Sequence, residues 1–296
     1  MPLLGELSAL LTALLWSASS MVFAAATLRV GSVRVNVTRL VLASIYLLAL
    51  ILVLHLDFSM SATQIGLLTL SGIVGLALGD SFLFKAFQHI GARQSMLILS
   101  IAPAIAALLA FRFLGEDISA WGILGMGITL FGVMVVLLER RTAVNASKRG
   151  DWVGILHAFL GALGQAVGLI FAKMAFAEGP VNGFVAALVR ILASLVLLLP
   201  ATLLTGRLTR TMEALQKDRP AALLTVAGSI LGPFLGISFS LIAVAHTQVG
   251  IAATIMGTVP ILMLPMVRVL YRERLSWRAI TGAMVAVSGV AILFLR

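Results

Sequence analysis

Two stretches decide the reading: IAPAIAALLAFRFLGEDISAWGILGMGITLFG at 101–132 and TVPILMLPMVRVLYRERLSWRAITGAMVAVSG at 258–289. They align without a gap at an offset of 157 residues, which sets Pro103 on Pro260, Glu116 on Glu273 and Ser119 on Ser276. Gly125 and Gly132 fall on Gly282 and Gly289. Towards the N-terminus the same offset places His89 on His246, and Gly75, Gly79, Ser81 and Phe82 on Gly232, Gly236, Ser238 and Phe239. Apolar letters coincide readily in a chain of this composition, but matched His, Pro and Glu do not. The chain reads as an internal duplication.

The repeated unit is too apolar for water. Of the 296 residues, 61% are hydrophobic and 11% charged, with a mean hydropathy of +1.13. Soluble domains hold about 45–50% apolar and about 25% charged residues, so a soluble enzyme is excluded. A membrane-spanning helix needs roughly 20 apolar residues. Ten such runs lie at 4–26, 33–55, 63–87, 92–113, 118–138, 152–176, 181–204, 220–244, 248–270 and 276–295. The first run leads directly into the second, so it reads as a span and not as a cleaved signal peptide. Little remains beyond loops, and cysteine is absent, which removes disulfides and thiolate chemistry.

Five spans per half is an odd number, so the second half enters the membrane from the opposite side. The expected fold is an all-α integral membrane protein with ten transmembrane helices in two inverted five-helix repeats, 1–138 and 152–296. A central cytoplasmic linker, 139–151, joins them. Repeats of this kind place a substrate site near the bilayer midplane where they meet. The net charge of +10 reads as an orientation signal and not as a nucleic-acid surface. Of the 21 Lys and Arg residues, 17 fall on the side reached after odd-numbered spans, which the positive-inside rule makes cytoplasmic. Both termini then lie outside.

Enzyme signatures are missing, because neither His-Glu-x-x-His nor Gly-x-Ser-x-Gly occurs. No metal or cofactor is implied. The expected partners are a small-molecule substrate and the lipid bilayer, and the expected unit is a monomer. Small residues four apart, at Ser71, Gly75 and Gly79, at Gly164 and Gly168, and at Gly228, Gly232 and Gly236, predict close helix packing in spans three, six and eight. Mid-span polar groups supply the candidate cavity: Trp16 and Ser20 in span one, Gln165 in span six, Ser100 and Pro103 in span four, Gly257 and Pro260 in span nine. A mid-helix proline removes a backbone bond and frees carbonyls that a cavity can use.

Asp80 is the one acid inside a span, which makes it a candidate for proton coupling or gating. Its place about two turns from the span end, and the apolar Ile237 at the matched position, favour a structural ion pair or a hydrogen-bonded gate. Lys85 and Lys173 lie near helix ends and read as snorkelling. His89 and His246 read as interfacial anchors.

The two halves, the prolines Pro103 and Pro260, and Glu116 and Glu273 ahead of spans five and ten resemble the drug/metabolite transporter superfamily. The run from Pro103 to Glu116 followed by Gly125 and Gly132 is similar to its EamA-type repeat. Within that group the chain looks closest to YddG-type amino-acid exporters. The resemblance implies a cavity between the halves lined by spans one, three, four, six, eight and nine, with alternating access. It also implies export of amino acids, aromatic or other neutral ones, and related metabolites from a bacterial cytoplasmic (inner) membrane. Small multidrug exporters use a buried Glu in the first helix, whereas Glu6 stands at a helix edge. Phosphate-sugar carriers use cationic cavity residues, and the midplane here reads as neutral. The alternatives are a broad drug/metabolite efflux carrier or, from another class, a membrane scaffold or lipid flippase. For topology, reporter fusions after residue 145 are expected to report cytoplasm and fusions at the C-terminus the outside; a cytoplasmic C-terminus rejects this orientation.

Overall fold

The computed structural model describes residues 3–139, 152–204, 214–271 and 276–295, and these are helical with short connections. The first half holds α1 (Leu4–Val30), α2 (Ser32–Val53), α3 (Ala62–Ser71), a π-helical segment π1 (Gly72–Gly79), α4 (Asp80–Leu99), α5 (Ala102–Leu114) and α6 (Ala120–Glu139). The second holds α7 (Trp152–Ala177), α8 (Gly183–Leu204), α9 (Arg219–Ser229), π2 (Ile230–Gly236), α10 (Ile237–His246), α11 (Val249–Met256), α12 (Val259–Tyr271) and α13 (Trp277–Leu295). Among the described residues, eight helical stretches are long and apolar enough to cross a membrane, with shorter apolar helices at Ala102–Leu114 and Ala120–Val135. The central linker expected at 139–151 lies almost entirely outside the described residues.

Two features depart from the sequence reading. The turn expected between spans three and four, near residues 88–91, is itself helical, because α4 runs through it to Leu99. The interruption falls instead at Ser100 and Ile101, matched in the second half by Gly257 and Thr258. Consequently Pro103 and Pro260 do not bend a continuous helix. Each stands in the first turn of a new helix, α5 or α12, where a missing N–H leaves no bond unmade. The second departure is the pair of π segments, at matched places in the two halves. In π1 the Gly72 carbonyl accepts a bond from Ser194 Oγ at 2.9 Å, so a neighbouring helix takes up part of the backbone hydrogen bonding.

Glycine sets the distances between helices. A β-carbon on Gly164 would lie 2.9 Å from the Gly79 Cα, and one on Gly168 would lie 2.9 Å from the Gly75 Cα. α7 therefore rests directly on the backbone of π1, as the four-residue ladders predict. On the other side, a β-carbon on Gly72 would overlap the Arg190 carbonyl of α8. The third ladder receives α1: Gly228 and Gly232 lie against Phe23, and Gly236 against Trp16. α6 and α13 pair through repeated glycines, with Gly125 against Gly289 and Gly132 against Gly282.

Contacts between helix ends sort the molecule into two poles. At one pole Thr247 Oγ1 donates to Glu6 (2.9 Å), and Gln64 Nε2 donates to the Ala175 and Gly179 carbonyls. At the other, Arg29 pairs with Asp218 at 2.9 Å and His89 stacks on His157. Arg29 and the Ala221 N–H hold the Asp218 carboxyl below the usual carboxylate range. Their contribution is complete above that range and is lost as pH falls through the lowered value. Large apolar side chains such as Val53, Val196, Leu204 and Trp277 point outward, as a lipid-facing belt requires. Gly72→Ala is expected to lower thermal stability by about 1–3 kcal/mol through overpacking. Gly127→Ala, where a β-carbon meets nothing within 4 Å, is the neutral control; equal melting of both variants rejects backbone contact as the cause.

Candidate functional site

The site begins with Asp80, the first residue of α4, held where π1 delivers the chain against α7. It is buried, and both carboxylate oxygens are engaged. Arg39 Nη2 of α2 donates to Oδ2, and Gln165 Nε2 of α7 donates to Oδ1 at 2.7 Å. Arg39 is itself fixed on three sides. Its Nε donates to Asn36 Oδ1 at 2.9 Å, and the rings of Phe23 and Phe84 lie 5.3 and 5.2 Å from its guanidinium carbon. Aromatic faces stabilise a desolvated guanidinium, so this cation is seated with little water.

A second arginine completes the cluster. Arg190 of α8 is only 3% exposed. A β-carbon on Gly75 would lie 3.2 Å from its Nη2, so glycine at 75 leaves the space that the guanidinium uses. Asp80 attracts Arg190 through space as well as Arg39. Each arginine is the eighth residue of its helix, about 10 Å along the axis at 1.5 Å per residue. The sequence reading of a neutral midplane takes no account of these two cations, which stand inside their helices. Counting basic residues by side says nothing of depth, and only the tertiary packing brings these two arginines to Asp80.

The other sequence candidates fall in different surroundings. Trp16 packs against Gly236 beside residues of α11, and Ser20 Oγ donates to the Trp16 carbonyl of its own helix at 2.6 Å. Pro103 is buried against Gly257 across the α5–α11 contact, and Ser100 occupies the interruption before α5. Pro260 sits half-buried on the far side of the matched interruption. Gln165 and Asp80 are brought together, as are Pro103 and Gly257. Trp16 and Gln165 occupy corresponding places, since Gly236 lies on Trp16 and Gly79 lies on the Gln165 backbone.

Sequence reading missed a second polar cluster. Lys173 donates to the Val244 and Thr247 carbonyls, both at 2.9 Å, and lies 3.7 Å from Glu116. Glu116 Oε2 accepts from the Val249 N–H at 2.8 Å, at the α11 N-terminus, where a carboxylate is favoured. Lys173 is thus a clamp between helices and not a snorkelling side chain. The sequence signal was present in Glu116, which the duplication singles out, but its partner lay on another helix.

An EamA-like transporter family model matches the chain twice, over residues 3–138 and 152–295. The chain therefore belongs to the EamA-like transporter family, a family of membrane transporters. One solved crystal structure superposes with a TM-score of 0.78, covering 99% of this chain and 96% of that one at 19% sequence identity. That likeness extends to the fold. No curated protein matches the chain. Replacing Asp80 by Ala leaves Arg39 without its carboxylate and the buried Arg190 without the charge it faces, and is expected to cost about 3–5 kcal/mol. The double substitution Arg39→Met with Asp80→Leu is expected to recover the part of it that belongs to Arg39, since Arg190 still loses the carboxylate it faces. A denaturant-unfolding cycle measures the coupling; additive losses reject the pair as a unit.

Proposed function

We propose that this transporter exports amino acids, aromatic or other neutral ones, and related small metabolites across a bacterial inner membrane by alternating access. The observation that carries the reading is the Asp80–Gln165 bond. It joins a charged, buried side chain of the first half to an amide of the second, at a seam of glycine backbones. A polar contact across such a seam is suited to breaking and re-forming as two halves rock, because glycine packing presents few interlocked side chains. The matched interruptions at Ser100 and Gly257 supply unwound backbone, the usual material of a carrier's substrate site.

In this reading the ten helices are two inverted repeats with both termini outside. The reciprocal glycine pairs support that arrangement: Gly125 and Gly282 are matched positions, as are Gly132 and Gly289, and each contacts the other's counterpart, as a two-fold relation demands. Trp16, Ser20, Ser100, Pro103, Gln165, Gly257 and Pro260 are proposed to border the substrate path, with Asp80 as gate. Amino-acid specificity is supported by the family's transport role and by the resemblance to YddG-type exporters. Proteoliposomes tested with a panel of labelled amino acids, with and without a proton gradient, decide the matter. The expected result is saturable flux of neutral amino acids. Trp16→Ala and Gln165→Ala are expected to shift substrate ranking by several-fold. No flux of any amino acid rejects the substrate class, and unchanged ranking in folded variants rejects the path residues.

A further inference from the structure

The Arg39–Asp80–Arg190 cluster is unbalanced. Two guanidinium groups face one carboxylate, so the buried cluster carries a formal charge of +1. The imbalance falls on Arg190. Asp80 spends Oδ2 on Arg39 and Oδ1 on Gln165, while Arg39 donates to Asp80 and Asn36. Arg190 Nε is buried with no hydrogen-bond partner among the described residues. Leaving a buried donor of a charged group unpaired is among the costlier defects a protein interior can hold. Such a donor calls for an acceptor that is not part of the chain at rest.

The place of Arg190 narrows what that acceptor is. Its Nη2 lies over Gly75, and Gly75 faces Gly164 and Gly168 of α7. The guanidinium therefore reaches from α8 to the margin of the contact between π1 and α7, where the two halves meet. An arginine fork there matches a planar carboxylate through paired N–H donors, and one carboxylate brings the cluster to neutrality. A cationic ligand would add charge to an interior that already holds an excess of it. We infer that Arg190 is the receptor for the carboxylate of the transported molecule, so that the substrate class is one bearing a single carboxylate, and an amide or amine lacking it is discriminated against. This inference rests on the transport reading above, and it makes Arg190 a specificity-determining residue absent from the sequence candidates.

The test compares a carboxylate with its amide. In proteoliposome counterflow of labelled L-leucine, unlabelled L-leucine is expected to compete at least about tenfold better than L-leucinamide, the worth of one charge-assisted hydrogen bond. Arg190→Gln is expected to bring that ratio close to one. A parent-like ratio in folded Arg190→Gln overturns the inference while leaving amino-acid transport intact. If Arg190→Gln does not fold, Arg190→Lys and Gly75→Ala carry the test, since the first removes the fork and the second crowds Nη2. Both are expected to reduce the ratio, and a parent-like ratio in either folded variant overturns the inference. Thermal unfolding in detergent provides a readout independent of transport. Phenylacetate is expected to raise the parent's melting temperature, phenylacetamide is not, and the difference is lost in the Arg190 variants. Should no amino acid be transported while this Arg190-dependent shift holds, the carboxylate receptor stands and the amino-acid reading falls. Equal shifts from acid and amide, together with equal competition, overturn it.

Discussion

Backbone contact through glycine is the constraint on which the rest of this structure hangs. Gly75 and Gly79 of π1 meet Gly168 and Gly164 of α7 with no side chain between them. In lipid there is little hydrophobic force to push helices together, so close van der Waals approach must supply the attraction. That approach brings Gln165 within reach of Asp80 and leaves above Gly75 the space that Arg190 occupies. Any larger residue along this seam would separate the helices and dissolve the polar cluster with them. The π-helical turn belongs to the same arrangement, because part of its backbone bonding is taken over by Ser194 of α8.

The duplicated sequence does not produce two equal sites. Where the first half brings Asp80 to Gln165, the second brings the apolar Ile237 to the place matched with Asp80, and Trp16 packs on Gly236. One seam is charged, and its counterpart has, among the described residues, neutral groups only, with Thr12 donating to the Gly236 carbonyl. A buried charge needs an ordered set of partners: Arg39 and Gln165 bond the acid, and Asn36 and two aromatic rings hold Arg39 in turn. A neutral counterpart needs no such set. This asymmetry makes the interior chemistry of the two halves unequal, with the charged groups gathered at one seam.

The poles of the molecule are closed by different means. At the pole of Glu6 and Thr247, Lys173 ties the end of α10 to α7 while Glu116 holds the first turn of α11. At the opposite pole, the Arg29–Asp218 pair and the stacked His89 and His157 join α1 to α9 and α4 to α7. Several of these contacts cross between residues 3–139 and 152–295, so they tie the two halves together.

The sequence by itself determined that this chain is a helical membrane protein, because apolar runs of spanning length and a composition only 11% charged admit no water-soluble packing. It also determined the glycine ladders and the duplication, since both are periodic in one dimension. It marked Asp80 as the acid that had to be explained. It did not reveal that acid's partners. Lys85, near in sequence, is exposed, whereas Arg39 and Gln165 lie 41 and 85 residues away along the chain. Nor did it place Arg190 inside, because an arginine early in a span reads equally as an edge charge or as a buried cation. Only the tertiary structure decided between those, by setting α8 against Gly72 and Gly75, where the missing β-carbons admit a guanidinium that any other residue would have turned away.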